Sequence, residues 1–267
     1  MPLSPEAIIF LLLVLGVVAV TWLHHARVGA GRLPARRPLP PIETLRSALG
    51  RGAETGRATH VSPGASVLGA ADGSRATTAE LLAGLLVAER VAGEAALNGA
   101  PILVSSGDAV AHLALRGSVR QAYQVAGQAQ DYEAGRVQLL AHNDELAYAA
   151  GVATLYERQP LEASALVGGF NQEFLLIGEE GAQRDLPQMA GTTSSAALPL
   201  MLLTTPATLI GEEIYAAEAY VGPPGPAQAR LLTQDLLRTV VILLLIAGFV
   251  YGLVQQALDL PPLPLPL

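Results

Sequence analysis

The sequence predicts an α/β domain, placed in the cytoplasm and flanked by two transmembrane α-helices. Three observations lead there. A charge-free apolar segment lies near each end, Ala7–Leu23 and Thr239–Val254. The long middle is polar and acidic, and within it short β-type runs alternate with helical ones. Each apolar segment approaches the ~17–25 residues that cross ~30 Å of hydrocarbon. The expected organisation is a transmembrane helix over 1–25, a basic Pro/Gly linker over 26–41 and the α/β domain over 42–222. A second linker over 223–235, a transmembrane helix over 236–258 and a Pro/Leu tail over 259–267 complete it.

Orientation follows from charge. Only Glu6 precedes the first apolar segment, whereas His24, His25, Arg27, Arg32, Arg36 and Arg37 follow it. Basic residues flanking a membrane helix stay on the cytoplasmic side. Arg230 and Arg238 precede the second apolar segment and nothing basic follows it. Both helices therefore predict a two-pass cell-membrane protein with both termini outside and the main domain inside. A cleaved signal peptide would need a basic start, which is missing. Buried core helices of a soluble protein are the other alternative, and the charge-free, terminal character of both segments argues against it.

All 16 basic residues are arginine, against 23 acidic ones, for a net charge of −7. Over Ile42–Asp235 there are 21 Asp or Glu and 11 Arg, a net −10. Such a body is a poor partner for nucleic acid, whose affinity comes from neutralised phosphates. The Arg27–Arg37 cluster suits lipid headgroups, so the expected partners are the bilayer and either the chain itself, as a homo-oligomer, or another membrane subunit. With no cysteine, disulfides, thiolate nucleophiles and Cys-ligated clusters are excluded.

Within the middle, a short helix is expected at Ile42–Leu49 and a strand ending in a tight turn over Gly56–Gly64. Thr77 and Glu80 have capping-box spacing and open a helix to about Leu97, closed by Asn98-Gly99. Ile102–Ser105 is a strand; the turn Ser106-Gly107-Asp108 starts a helix bent or broken near Gly117. Val137–Ala141 is a strand, and His142-Asn143-Asp144 leads into a helix to about Arg158. Ala165–Gly168 and Phe174–Ile177 are further strands, and Thr205-Pro206 caps a helix over Leu209–Tyr220. The strands read as buried on both faces.

Nucleotide and hydrolase motifs fail to appear. There is no Gly-x-Gly-x-x-Gly after a strand, no lysine for a P-loop, no His-Glu-x-x-His and no Gly-x-Ser-x-Gly. The pentapeptide Leu176-Ile177-Gly178-Glu179-Glu180 recurs as Leu209-Ile210-Gly211-Glu212-Glu213. If these Glu pairs met Glu173 and Asp144, they could hold a hard cation or raise one carboxyl into a general acid. The bland alternative is that they are solvated, or complement helix dipoles. The first copy reads as strand and turn, the second as part of a helix. His60, between Thr59 and Ser62, could line a ligand crevice or carry a proton, or simply fix a turn. No metal site is predicted; Glu173, Glu179, Glu180, Glu212 and Glu213 are its weak candidates. His60, Asp144, Glu179 and Glu212 are the candidates for catalysis. The turn Ser105–Asp108 could receive an anion on helix amides, but Asp108 would repel it, which favours a plain N-cap. Gly248 and Gly252 form a Gly-x-x-x-Gly pair suited to helix packing in the membrane.

The stretches Gly56–Gly64 (Gly-Arg-Ala-Thr-His-Val-Ser-Pro-Gly) and Leu209–Tyr220 (Leu-Ile-Gly-Glu-Glu-Ile-Tyr-Ala-Ala-Glu-Ala-Tyr) resemble an uncharacterised family of bacterial and archaeal membrane-anchored proteins, classed only as a domain of unknown function. The resemblance covers about Ile42–Tyr220 and implies a shared fold or site; it supplies no activity, cofactor or catalytic residue. The residues themselves favour a membrane-anchored binding or scaffold module, a self-associating accessory subunit, over an enzyme. The alternative is a small-ligand sensor or enzyme with its site at the carboxyl ends of the strands. A transporter is disfavoured, because two helices without intramembrane charge form a pathway only in a sizeable oligomer. The cofactor, if any, is unknown at this stage.

Overall fold

Short apolar runs bounded by turn residues become six parallel strands, and the helical stretches between them become the crossovers. The structure, a computed structural model, describes residues 5–31, 37–66, 75–222 and 226–258. The tail at 259–267 and parts of both expected linkers lie outside the described residues. The chain divides into two compact units, Met1–Arg36 with Pro224–Leu267, and Arg37–Pro223.

The Arg37–Pro223 unit contains α2 (Pro40–Thr55), β1 (Ala58–Gly64), α3 (Arg75–Asn98), β2 (Ile102–Ser106), α4 (Ala109–Val125) and β3 (Val137–Leu139). It continues with α5 (Glu145–Arg158), β4 (Leu161–Gly169), α6 (Phe174–Gln183), β5 (Gln188–Thr192), α7 (Leu198–Thr204), β6 (Ala207–Ile210) and α8 (Glu213–Val221). The strands lie in the order β3-β2-β1-β4-β5-β6. The chain builds outward from β1 to β3, then returns through α5 to lay β4 on the other side of β1. This is the doubly wound order 3-2-1-4-5-6, with its reversal between β1 and β4.

Two apolar layers cover the sheet. On one face Ile42, Leu45 and Leu49 of α2, Val87 and Val91 of α3, Leu115 and Val119 of α4 and Ile214 and Val221 of α8 meet Val61, Val104, Ala165 and Val167 of the strands. On the other, Tyr148, Val152 and Leu155 of α5, Phe174 and Ile177 of α6 and Met201 of α7 meet Leu103, Leu166 and Ala190. Alternate strand residues serve the two layers, as the pleat requires. α3 lies so close to the sheet that a Cβ on Gly84 would run into the Val167 carbonyl and Pro63.

Several elements differ from the sequence expectation. Phe174–Ile177 opens α6 instead of forming a strand, because Phe174 and Ile177 share one buried helical face. Leu209-Ile210 ends β6, and Thr205 closes α7, so the final helix starts only at Glu213. The two pentapeptides therefore exchange roles: the first is helical, and the second is strand and turn. α4 runs through Gly117 without a break. α3 already begins at Arg75, and Glu80 turns to Thr193 rather than back towards a cap. The side chain of Thr77 lies outside the described residues.

The other unit holds α1 (Pro5–Gly29) and α9 (Pro226–Leu258). Ala7–Gly29 and Ala227–Leu253 are long and apolar enough to cross a membrane. The two helices pack on each other, and His24 Nδ1 meets Thr233 Oγ1 at 3.0 Å. A Cβ at Gly248 or Gly252 would meet nothing within 4 Å, so the α1–α9 contact does not use this pair.

Candidate functional site

His60 stands on β1 between Ser164 of β4 and Ser105 of β2, and all three are fully buried on the α5 side of the sheet. Tyr156 of α5 donates to Ser164 Oγ at 2.6 Å. The Ser164 hydroxyl is then free to donate to His60 Nδ1 at 2.8 Å, which leaves Nε2–H to donate to Ser105 Oγ, also at 2.8 Å. Ser105 continues to the Tyr148 hydroxyl at 3.4 Å, Tyr148 makes a short bond to Ser62, and Ser62 donates to the Ser105 carbonyl at 3.0 Å. Every hydroxyl in this chain has an outlet when His60 is neutral. A second imidazole proton would oppose the Ser164 proton with nowhere to send it. Burial accordingly lowers the His60 pKa from 6.5 to about 3 and pushes Tyr148 up to about 12, with Tyr156 raised further. Such a sealed, fully satisfied network specifies packing between α5 and three strands. His60 is therefore a structural residue that fixes strand and helix together, not the wall of a crevice.

The open end of the sheet is different. Where β4 and β5 stop, Asn171 donates its backbone N–H to both oxygens of Glu173, at 2.9 and 3.0 Å, and its side-chain amide to Glu145 Oε1 at 2.7 Å. Ser194 donates to Asn171 Oδ1 at 3.4 Å. The adjacent Thr193 donates both its backbone N–H, at 2.6 Å, and its hydroxyl to Glu80 of α3. Burial, and then the nearby Glu145 charge, raise the Glu173 carboxyl above the usual range. Glu80 and Glu173 are buried, while Asn171, Thr193 and Ser194 remain partly accessible. The result is a polar mouth beside the β1–β4 reversal, with carboxyl groups held in place and hydroxyls beside them. The turns below it are tight: Gly64 and Gly168 have φ values of 97° and 145°, and a Cβ on either would strike backbone of the neighbouring strand.

The remaining sequence candidates take other places. Asp144 caps α5, accepting from Ala147 N at 2.8 Å, and Asp108 likewise caps α4 through Ala111 N at 2.8 Å. The plain cap expected of Asp108 is what the structure has. Glu179 and Glu180 lie late in α6, where Glu180 pairs with Arg184 at 2.6 Å. Glu212 and Glu213 follow the carboxyl end of β6, the edge strand, and Glu213 accepts from Ile210 N at 3.0 Å and Arg37 at 3.4 Å. The two Glu pairs do not meet. Among the described residues no three His, Asp or Glu side chains are grouped to hold a metal ion.

A family model for a domain of unknown function, DUF6754, matches residues 4–260. The chain belongs to the DUF6754 family. The match takes in both apolar helices as well as the α/β unit, so all of these elements are part of what defines DUF6754. No curated protein and no solved structure matches the chain significantly.

Sequence reasoning placed Ser62 beside His60 but missed Ser105, Ser164, Tyr148 and Tyr156 around it, and Glu80, Glu145, Asn171 and Thr193 at the mouth. A signal for the first group exists: His60 and Ser62 are polar at a period of two in an otherwise buried strand. The second group comes from four separate elements and leaves no local pattern.

Proposed function

We propose that this DUF6754 chain is a membrane-anchored binding module that takes a small ligand at the carboxyl end of its sheet. The observation that carries this reading is the reversal of strand order between β1 and β4. Loops diverge from such a point in opposite directions and leave a crevice, which is where open α/β sheets bind their ligands. Glu173, Glu145, Asn171 and Thr193 are the residues suited to meet the ligand, with the Glu173 carboxyl raised by burial and Glu145 placed to accept. Asp108 and Asp144 already occupy amides at the starts of α4 and α5, which disfavours phosphate there and favours hydroxyl or amino groups.

The same reading keeps both apolar helices in the bilayer and the α/β unit on the cytoplasmic face, supported by the arginines after the first apolar segment and before the second. Native mass spectrometry of the full-length protein released from detergent tests the ligand. A bound mass that disappears on mild denaturation is the expected result. Glu173→Gln should weaken its retention at least tenfold without lowering the melting temperature. A clean chain mass with nothing retained, together with unchanged behaviour of Glu173→Gln, would return the module to a purely scaffolding role.

A further inference from the structure

One face of α9 carries an ordered series. Arg230, Gln234 and Arg238 recur every fourth residue, which stacks three hydrogen-bond donors at intervals of about 6 Å. With Leu237, Val241 and Thr21 of α1 they border a cleft of about 400 Å³. The hydroxyls of Thr21 and of the neighbouring Thr233 donate to the Val17 and Ala229 carbonyls, so two guanidinium groups and an amide set the chemistry of the cleft. Asp235, the acidic residue of α9, lies about 100° round the helix from Gln234 and does not border it. Past Arg238 the helix has no charged residue. Gly248 and Gly252 continue the same face at helical spacing from Val241, and a Cβ on either would meet nothing within 4 Å. The face is therefore basic at one end and apolar and shallow at the other.

That gradient matches one molecule, a lipid with an anionic headgroup. We propose that the cleft seats a single anionic phospholipid of the cytoplasmic leaflet. Its phosphate lies between Arg230 and Arg238, Gln234 donates to the headgroup, and an acyl chain runs along Leu237, Val241 and the open surface at Gly248 and Gly252. The two arginine Cα atoms are about 12 Å apart along the helix, and guanidinium groups reaching inward from both ends clasp a phosphate with paired N–H bonds. Basic pockets at the cytoplasmic ends of membrane helices hold anionic headgroups in this way. A lipid is favoured over a second copy of the chain. Parallel packing of α9 on α9 through its glycines would set Arg230 and Arg238 against themselves, whereas a phosphate neutralises both. Such a site rests on the membrane placement proposed above and not on the ligand at the sheet.

Two measurements separate the site from the membrane placement. The full-length chain should float with vesicles of pure phosphatidylcholine and resist extraction by alkaline carbonate; a chain that does not float overturns both. Native mass spectrometry of protein taken from vesicles of equal phosphatidylglycerol and phosphatidylcholine then reads the site. One phosphatidylglycerol per chain should be retained, at least tenfold over phosphatidylcholine. Arg230→Gln with Arg238→Gln should abolish that preference without changing flotation. Arg32→Gln with Arg36→Gln, the same loss of charge in the linker, should leave it intact. No preference in a chain that floats, equal loss in both double variants, or a dimer that holds no lipid would overturn the site and leave the membrane placement standing. Inorganic phosphate retained by chains from pure phosphatidylcholine vesicles, and lost with Arg230→Gln and Arg238→Gln, would mark a plain anion site and overturn the lipid.

Discussion

Acidification should unfold this protein through one imidazole. His60 is neutral in the fold, with its pKa lowered to about 3 by burial, whereas an unfolded histidine titrates near 6.5. Between these values the unfolded chain holds one more proton than the folded one, so stability falls as pH falls. The contribution is fully present above pH 6.5 and is lost towards pH 3, at about 1.4 kcal/mol per pH unit. From pH 7 to 5 the loss is about 2 kcal/mol, or about 4–8 °C of melting temperature for a domain of this size. Glu173 works in the opposite sense, since its raised carboxyl takes up a proton in the fold as pH falls. A variant that removes only the imidazole is therefore needed. His60→Gln keeps an acceptor for Ser164 and a donor for Ser105 without titrating. Melting of both proteins, followed by near-ultraviolet circular dichroism of the full-length chain in detergent, gives the comparison. The wild type should lose about 4–8 °C more than the variant between pH 7 and 5. Parallel profiles would refute the neutral, sealed histidine.

Other expectations follow from single contacts. Gly84→Ala presses a methyl into the Val167 carbonyl and Pro63 and should cost about 1–3 kcal/mol. Gly50→Ala, at a helical position with open space around it, should instead gain about 0.5–1 kcal/mol, and thermal melts compare the two directly. Of the seven tyrosines, Tyr148 and Tyr156 should resist ionisation as pH rises past 11 while the fold persists, seen as missing absorbance at 295 nm that appears on unfolding. Asp108→Ala should cost about 1 kcal/mol by uncapping α4, and Asp108→Asn should restore most of it, both measured by chemical denaturation.

What the sequence made legible was whatever depends on neighbours along the chain. The strands expected at Ile102–Ser105 and Val137–Ala141, alternating with helical stretches, and the cap Asp108 are local features, and the structure has them as Ile102–Ser106, Val137–Leu139 and the start of α4. The strand order is not local. Nothing in the residues of α5 states that it carries the chain back across β1, so the reversal that places the mouth appears only in three dimensions. For the same reason Asn171, Glu145 and Thr193 could not be associated beforehand: each is an ordinary polar residue until the ends of β4 and β5 and the start of α5 lie side by side.

The repeated Leu-Ile-Gly-Glu-Glu shows how tertiary context decides between identical local signals. In the first copy Gly178 sits inside α6 because a Cβ there would collide with Thr204 and with Phe174 of its own helix. In the second, Gly211 adopts φ 59° to turn the chain out of β6, with empty space around it. One glycine is selected for closeness of packing and the other for backbone conformation, and the five residues alone do not distinguish these needs. Alanine at both positions would. Gly178→Ala should destabilise through crowding, and enlarging the space with Thr204→Ala, which removes the hydroxyl that the new methyl would strike first, should relieve part of the loss. Gly211→Ala should destabilise through its left-handed φ, and no trimming of neighbours should restore it. Rescue of both, or of neither, would show that the two glycines serve the same purpose and that the assignment of one copy to helix and the other to turn is mistaken.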